Sequence, residues 1–166
     1  MRKALVVYES MFGNTHAVAD AVAEGLRESL DVEVLEVEEA PLQVGDDVDL
    51  VVVGGPTHAF SMSRPSTRRS AGEQGADPAA ASHSGIREWI SGVAAPKGLA
   101  TAAFDTRIAK PHLPGSAAKS ADRKLRRRGF TELAHPESFY VTDTSGGLVD
   151  GELDRAKAWG AELAHH

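Results

Sequence analysis

Cysteine is missing altogether from this chain of 166 residues. Its absence excludes a disulfide framework and thiolate metal ligation. No apolar run approaches the roughly 18 residues of a membrane span. The opening MRKALVVYES is basic and then apolar, but the apolar part covers only residues 4–8, too short for the core of a secretion signal. A cytoplasmic protein, without membrane attachment, is the expectation. Three nucleotide and hydrolase signatures are also missing. No Gly-Lys-Thr closes a Walker loop, no G-x-G-x-x-G follows a strand, and no G-x-S-x-G elbow supports a Ser10–Asp105–His triad. His112 and His135 have no partners at ligand spacing, so no metal site is expected.

Charge is present but unevenly spread. The formal net charge is −6. Residues 1–60 hold 3 basic and 12 acidic side chains, residues 61–130 hold 13 and 5, and residues 131–166 hold 2 and 7. The acidic total argues against general nucleic-acid binding. The basic middle third points instead to recognition of an acidic partner. Its densest part, Arg123-Lys124-Leu125-Arg126-Arg127-Arg128, reads first as a solvated helix face near a favourable C-terminal dipole.

The length suits one domain able to bury its own core. KALVVYE is continuously apolar at its centre, as in a strand covered on both faces. Val18, Val22, Leu26 and Leu30 recur every fourth residue and predict a helix over 15–30. DVEVLEVEE alternates and predicts an edge strand, and DLVVVGGP predicts a central one. Residues 57–83 show no period and read as a long functional or mobile loop. A helix over 84–93, a short strand ending at Asp105, a helix over 116–129, a strand interrupted at Pro136 and a helix over 150–163 complete the chain. Trp89 and Trp159 fall on apolar helical stripes and read as core. Alternating strands and helices predict a parallel sheet covered on both faces.

In such a sheet, ligands sit outside the carboxyl ends of the strands. Three loops leave those ends, at residues 10–15, 56–69 and 105–112. The first, Ser10-Met11-Phe12-Gly13-Asn14-Thr15, carries no charge and runs into a helix N-terminus. Unpaired N–H groups and a positive dipole end suit a phosphate there. The alternative is a plain helix cap by Asn14 or Thr15. His16, one residue further on, is expected to face solvent.

These loops resemble those of the flavodoxin family. The Ser10–Thr15 loop after a strand is similar to that family's phosphate loop, VVVGGPTHAF to its third strand and second flavin loop, and FDTR to the start of its third. The resemblance implies an α/β fold with a doubly wound, five-stranded parallel sheet of order 2-1-3-4-5, spanning the chain as a single domain. It implies FMN as cofactor and noncovalent binding by Ser10, Met11, Phe12, Gly13, Asn14 and Thr15 at the phosphate. Pro56, Thr57, His58, Ala59 and Phe60 would line one side of the ring. Asp105, Thr106 and Arg107 would lie near its pyrimidine end. The implied function is electron transfer between redox partner proteins, with no catalytic side chain needed. The alternatives are an FMN-dependent NAD(P)H:quinone-type oxidoreductase and a flavodoxin-like binding module without FMN. Two departures stand out. The loops offer His58 and Phe60 where many flavodoxins stack a Trp and a Tyr. Arg64, Arg68, Arg69 and Arg107 surround a mouth that is acidic in many flavodoxins, which points to an acidic partner. A monomer or weak dimer is expected.

Overall fold

A computed structural model describes residues 2–58, 61–73, 75, 85–109, 115–143 and 146–166. Strand β1 spans Lys3–Tyr8 and leads into helix α1, Asn14–Leu26. Strand β2, Asp31–Glu36, ends in a 3-10 turn, Val37–Glu39, and strand β3 spans Leu50–Pro56. Helices α2, Pro65–Glu73, and α3, Ile86–Gly92, follow. Then come strand β4, Ala100–Ile108, helix α4, Ala117–Arg127, strands β5, Thr131–Glu132, and β6, Glu137–Val141, and helix α5, Glu152–Leu163.

The sheet order is β2-β1-β3-β4-β5, and every strand pairing is parallel. The expected order 2-1-3-4-5 holds, with a sixth strand attached: β5 pairs with the start of β4 and β6 with its end. Pro136 lies in the gap between them, where a residue without an N–H adds nothing to a ladder.

Successive side chains on a strand point to opposite faces, which splits the core in two. On one face Leu5, Val7, Val51 and Val53 meet α3 and α4 through Ile86, Trp89, Ile90 and Leu125. On the other, Val6, Val52 and Phe104 meet α1 and α5 through Val18, Val22, Trp159 and Leu163. Both tryptophans are core, on opposite faces. Phe104, Phe139 and Trp159 pack edge to face, with centroids 5.9–6.1 Å apart. Helices α1 and α5 approach to backbone contact. A Cβ on Gly25 would overlap the Lys157 carbonyl, and one on Gly160 the Val22 carbonyl.

Two segments depart from the sequence reading. Residues 65–73 form a helix where a loop is expected. Its sequence, PSTRRSAGE, has no apolar stripe and buries only Arg68 and Ala71. Polar contacts rather than hydrophobic period fix it, and a periodicity argument cannot see those. The remainder of the expected loop, apart from Gly75, lies outside the described residues up to Gly85. Strand β4 also continues past Asp105 to Ile108, because β6 supplies it with a partner.

Candidate functional site

The chain order reverses between β1 and β3, which opens a crevice at their carboxyl ends. A cleft lies there. From the first loop it is lined by Met11, Phe12, Asn14 and Thr15, from the second by Pro56, Thr57 and His58, and from the end of the sheet by Thr106, Arg107, Ile108 and Val141. The three expected loops therefore converge.

The first loop is built to leave the helix end open. Gly13 occupies the cap position with φ 91°, a left-handed conformation that glycine adopts without strain. It brings no side chain, so the cap residue itself makes no side-chain hydrogen bond to the first turn of α1. The two candidate caps are engaged elsewhere. Asn14 donates Nδ2–H to the Gly146 carbonyl at 2.6 Å, and the Thr15 hydroxyl shares a hydrogen bond with the Thr106 hydroxyl at 2.8 Å. The plain-cap reading fails for both. The Ser10 hydroxyl accepts from Gly13 N–H at 3.1 Å and closes the loop, while Met11, 4% exposed, packs on Ala71 of α2. His16 is exposed as expected, with its ring stacked on Tyr8 at 4.6 Å and Asp20 3.4 Å away.

The second loop turns tightly. His58 N–H donates to the Ser61 carbonyl at 2.7 Å and Ser61 N–H returns to the His58 carbonyl at 2.9 Å. Ala59 and Phe60, expected beside the ring, lie outside the described residues. Thr57 ties the turn to its neighbours: its N–H donates to the Thr106 carbonyl, and its hydroxyl accepts from Ala117 N–H. The His58 ring meets the Thr67 hydroxyl of α2 through Nδ1 at 3.0 Å. Burial, and secondarily the Arg68 charge, lower its pKa to about 4, so the ring is neutral near pH 7.

Of the third group, Thr106 and Arg107 line the cleft and Asp105 does not. Asp105 is fully buried and its Oδ2 accepts from Ala118 N–H at the start of α4. Burial pushes its carboxyl pKa upward. Arg107 donates to the Gly115 carbonyl at 2.7 Å. Ile108 and Val141 were missed by the sequence reading. The only signal was that AFDTRI keeps a β-branched residue beyond Asp105.

Beneath the cleft lies a second feature that sequence reasoning missed. Glu9, 2% exposed, accepts from the Ser63 hydroxyl through Oε2 and from Ile86 N–H through Oε1 at 2.9 Å. Arg68 donates to Ser63 at 2.8 Å and pairs with Glu88 at 2.6 Å. Arg68, expected at the mouth as a cation, is instead 3% exposed and spent in this latch.

Among the described residues, the cleft wall thus has no carboxylate, one guanidinium, several hydroxyls, apolar side chains and a helix N-terminus whose cap residue has no side chain. That donor set fits an anionic group joined to a flat, mostly apolar body. Among the described residues, no three His, Asp or Glu side chains gather closely enough for a metal, and no helix is long and apolar enough to cross a membrane.

Fold and cleft together define a doubly wound α/β protein with an open cleft at its topological switch point. Residues 6–74 match the family model for flavodoxin. The chain as a whole carries the flavodoxin fold. Among solved structures, it is similar to a flavodoxin from the Archaea at 23% identity, covering 98% of this chain and 96% of that one with a TM-score of 0.67. Flavodoxin 1 of Bacillus cereus is similar at 18% identity, with 99% and 98% covered and a TM-score of 0.71. A flavodoxin of Megasphaera elsdenii matches at 18% identity, with 98% and 99% covered and a TM-score of 0.63. Among curated proteins no sequence matches the chain.

Proposed function

We propose that this protein binds FMN noncovalently in the cleft and carries electrons between redox partner proteins. The observation that carries the reading is the N-terminus of α1, capped by a glycine without a side chain and facing a wall that has no carboxylate among the described residues. Two of the similar structures are of flavodoxins in named redox states, one oxidised and one two-electron reduced, which supports a redox cofactor at this place. FMN, when bound, supplies the electron-accepting ring. The chain's own residues do the rest. The first-turn N–H groups of α1 hold the phosphate, with the dipole end adding attraction. Thr15 and Thr106 brace one another at the floor. Arg107 places positive charge near the ring, which favours an anionic reduced form. No side chain needs to give or take a proton for one-electron transfer. The basic surface near the mouth, with Arg64 and Arg69 exposed on and beside α2, suits an acidic partner.

The phosphate loop is tested by comparing FMN with riboflavin, which lacks the phosphate. FMN is expected to bind at least about tenfold more tightly, the size of one charged hydrogen bond of roughly 1.5–3 kcal/mol. Asn14→Asp, which sets a carboxylate at the helix end, should erase most of that preference. Flavin fluorescence quenching reads both. Equal affinity for the two flavins would remove the phosphate role from this loop, and no uptake of either would leave a binding module without FMN.

A further inference from the structure

A groove of about 390 Å³ opens on the sheet edge, where the chain breaks its strand between β5 and β6. Leu133, Trp159 and Leu163 give it an apolar floor, Glu132, Glu137 and Glu162 stand along it, and two histidines complete the lining. Carboxylates outnumber guanidinium groups here. Arg126 lies between Asp122, at 3.0 Å, and Glu132, at 3.9 Å. Arg155 lies between Glu137, at 2.6 Å, and Glu152, at 2.7 Å. The groove therefore keeps an excess of negative charge.

The surface next to it is basic. Arg123 and Arg127 stand one turn apart on α4. Both are exposed, as is Glu162, and none of the three is in an ion pair among the described residues. The approach of Arg126 to Glu132 shows that α4 and the groove share a border. A two-fold contact uses the same patch on both copies, so the patch has to complement itself. We infer that a second copy of this chain docks here about a two-fold axis, with Arg123 and Arg127 of each copy entering the groove of the other.

Arginine suits this groove in both its parts. Its stem covers apolar floor while its guanidinium reaches carboxylates, and an indole is the aromatic partner it favours most. Charges left unpaired within one copy become paired between two. A basic partner of another kind would cover the groove and leave the α4 arginines exposed, and an acidic one would do the reverse. Strand addition is closed off at β6. Arg155 donates to the Ser138 carbonyl, Tyr140 N–H donates to Glu152 at 2.8 Å, and Val149 N–H donates to the Tyr140 carbonyl at 2.9 Å. The contact is therefore made by side chains. It also leaves the cleft open, because β5 pairs with Ala100 and Thr101 at the start of β4 and the cleft lies beyond the other end of that strand.

Sedimentation equilibrium on the full chain, without ligand, tests this. The unmodified protein should show a monomer–dimer equilibrium whose dissociation constant rises about tenfold or more between about 0.05 and about 0.5 M salt. Two variants divide the contact: Glu162→Arg, and Arg123→Glu together with Arg127→Glu. Each alone sets like charges against each other at both symmetric contacts and should weaken the dimer at least about tenfold. An equimolar mixture of the two restores opposite charges at both contacts and should dimerise again. All three positions are exposed, so the fold should survive, and circular dichroism checks it. No dimer of the unmodified protein up to about 1 mM overturns the inference and leaves the groove to a cationic partner of another kind. Dimers that persist unchanged in either variant overturn it by placing the second copy elsewhere. A mixture of two folded variants that stays monomeric overturns the pairing of α4 with the groove.

Discussion

Glu9, which is buried, and His58, which is half-buried, respond to pH in opposite senses. His58 has its pKa lowered from 6.5 to about 4. The unfolded chain therefore binds a proton that the folded chain refuses. The stability this represents is present above about pH 6.5 and is lost as pH falls toward 4. Glu9 is raised above its ordinary 4.5, by burial first, with the Ser63 and Ile86 hydrogen bonds working against the rise. Its contribution is present below 4.5 and is lost as pH rises through the higher folded value. The expected outcome is that His58→Phe loses less stability than the unmodified protein between pH 6.5 and 4.5, while Glu9→Gln flattens the decline on the upper side. Urea unfolding at a series of pH values reads both slopes. Parallel curves for all three proteins would show that neither group differs between folded and unfolded states.

At the scale of elements, α2 is held by a latch rather than by a hydrophobic stripe. Breaking a fully buried charged pair by removing one partner costs about 3–5 kcal/mol, and with Glu88 36% exposed the cost here lies below that range. Arg68→Ala removes the ion pair to Glu88 and the hydrogen bond to Ser63 together. Much of that cost should appear as local opening, because α2 buries little else. In the unmodified protein, trypsin should cut slowly after Arg69, since the site lies within a helix. In Arg68→Ala the same cut should speed up by about tenfold or more, while the α1–α5 pair keeps its exchange protection. A cleavage rate at Arg69 that does not change would mean that the latch does not hold α2. The same latch is why the mobile-loop reading of residues 57–83 does not hold over 61–73, where Met62, Ser63, Arg68 and Ala71 are all buried.

The whole molecule carries its charge asymmetrically. The acidic first third includes the exposed edge strand β2, at the far side of the sheet from β5. The basic middle third includes α2, beside the cleft, and α4. Not every arginine there is available for docking. Arg126 pairs with Asp122 at 3.0 Å, and Arg128 donates to the Val93 carbonyl. Arg64, Arg69, Arg123 and Arg127 are exposed. Electrostatically steered encounters slow as salt screens the field. With an acidic redox partner, the reduction rate is expected to fall as ionic strength rises from about 0.01 to about 0.15 M. Replacing Arg64 and Arg69 with Ala should flatten that dependence. Stopped-flow reduction measures it, and a rate indifferent to salt would count against a basic docking surface near the cleft.

What the sequence alone determined was whatever local pattern encodes. The strands KALVVYE and DLVVVGGP, the i, i+4 stripe of α1, and the uncharged loop between strand and helix were all legible, because period and composition act over a few neighbouring residues. They sufficed for the parallel sheet and the place of the cleft, while the strand order came only from the resemblance to flavodoxins. The tertiary structure alone decided how polar side chains pair over long separations. That Asn14 and Thr15 leave the helix end open depends on Gly146 and Thr106, which lie 132 and 91 residues away along the chain. That PSTRRSAGE is a helix, and that Arg68 is buried rather than facing a ligand, depends on Glu9, Ser63 and Glu88 meeting beneath the cleft. A hydrogen bond needs its partner within about 3 Å and at the right angle, and only the folded chain brings such distant groups to that distance.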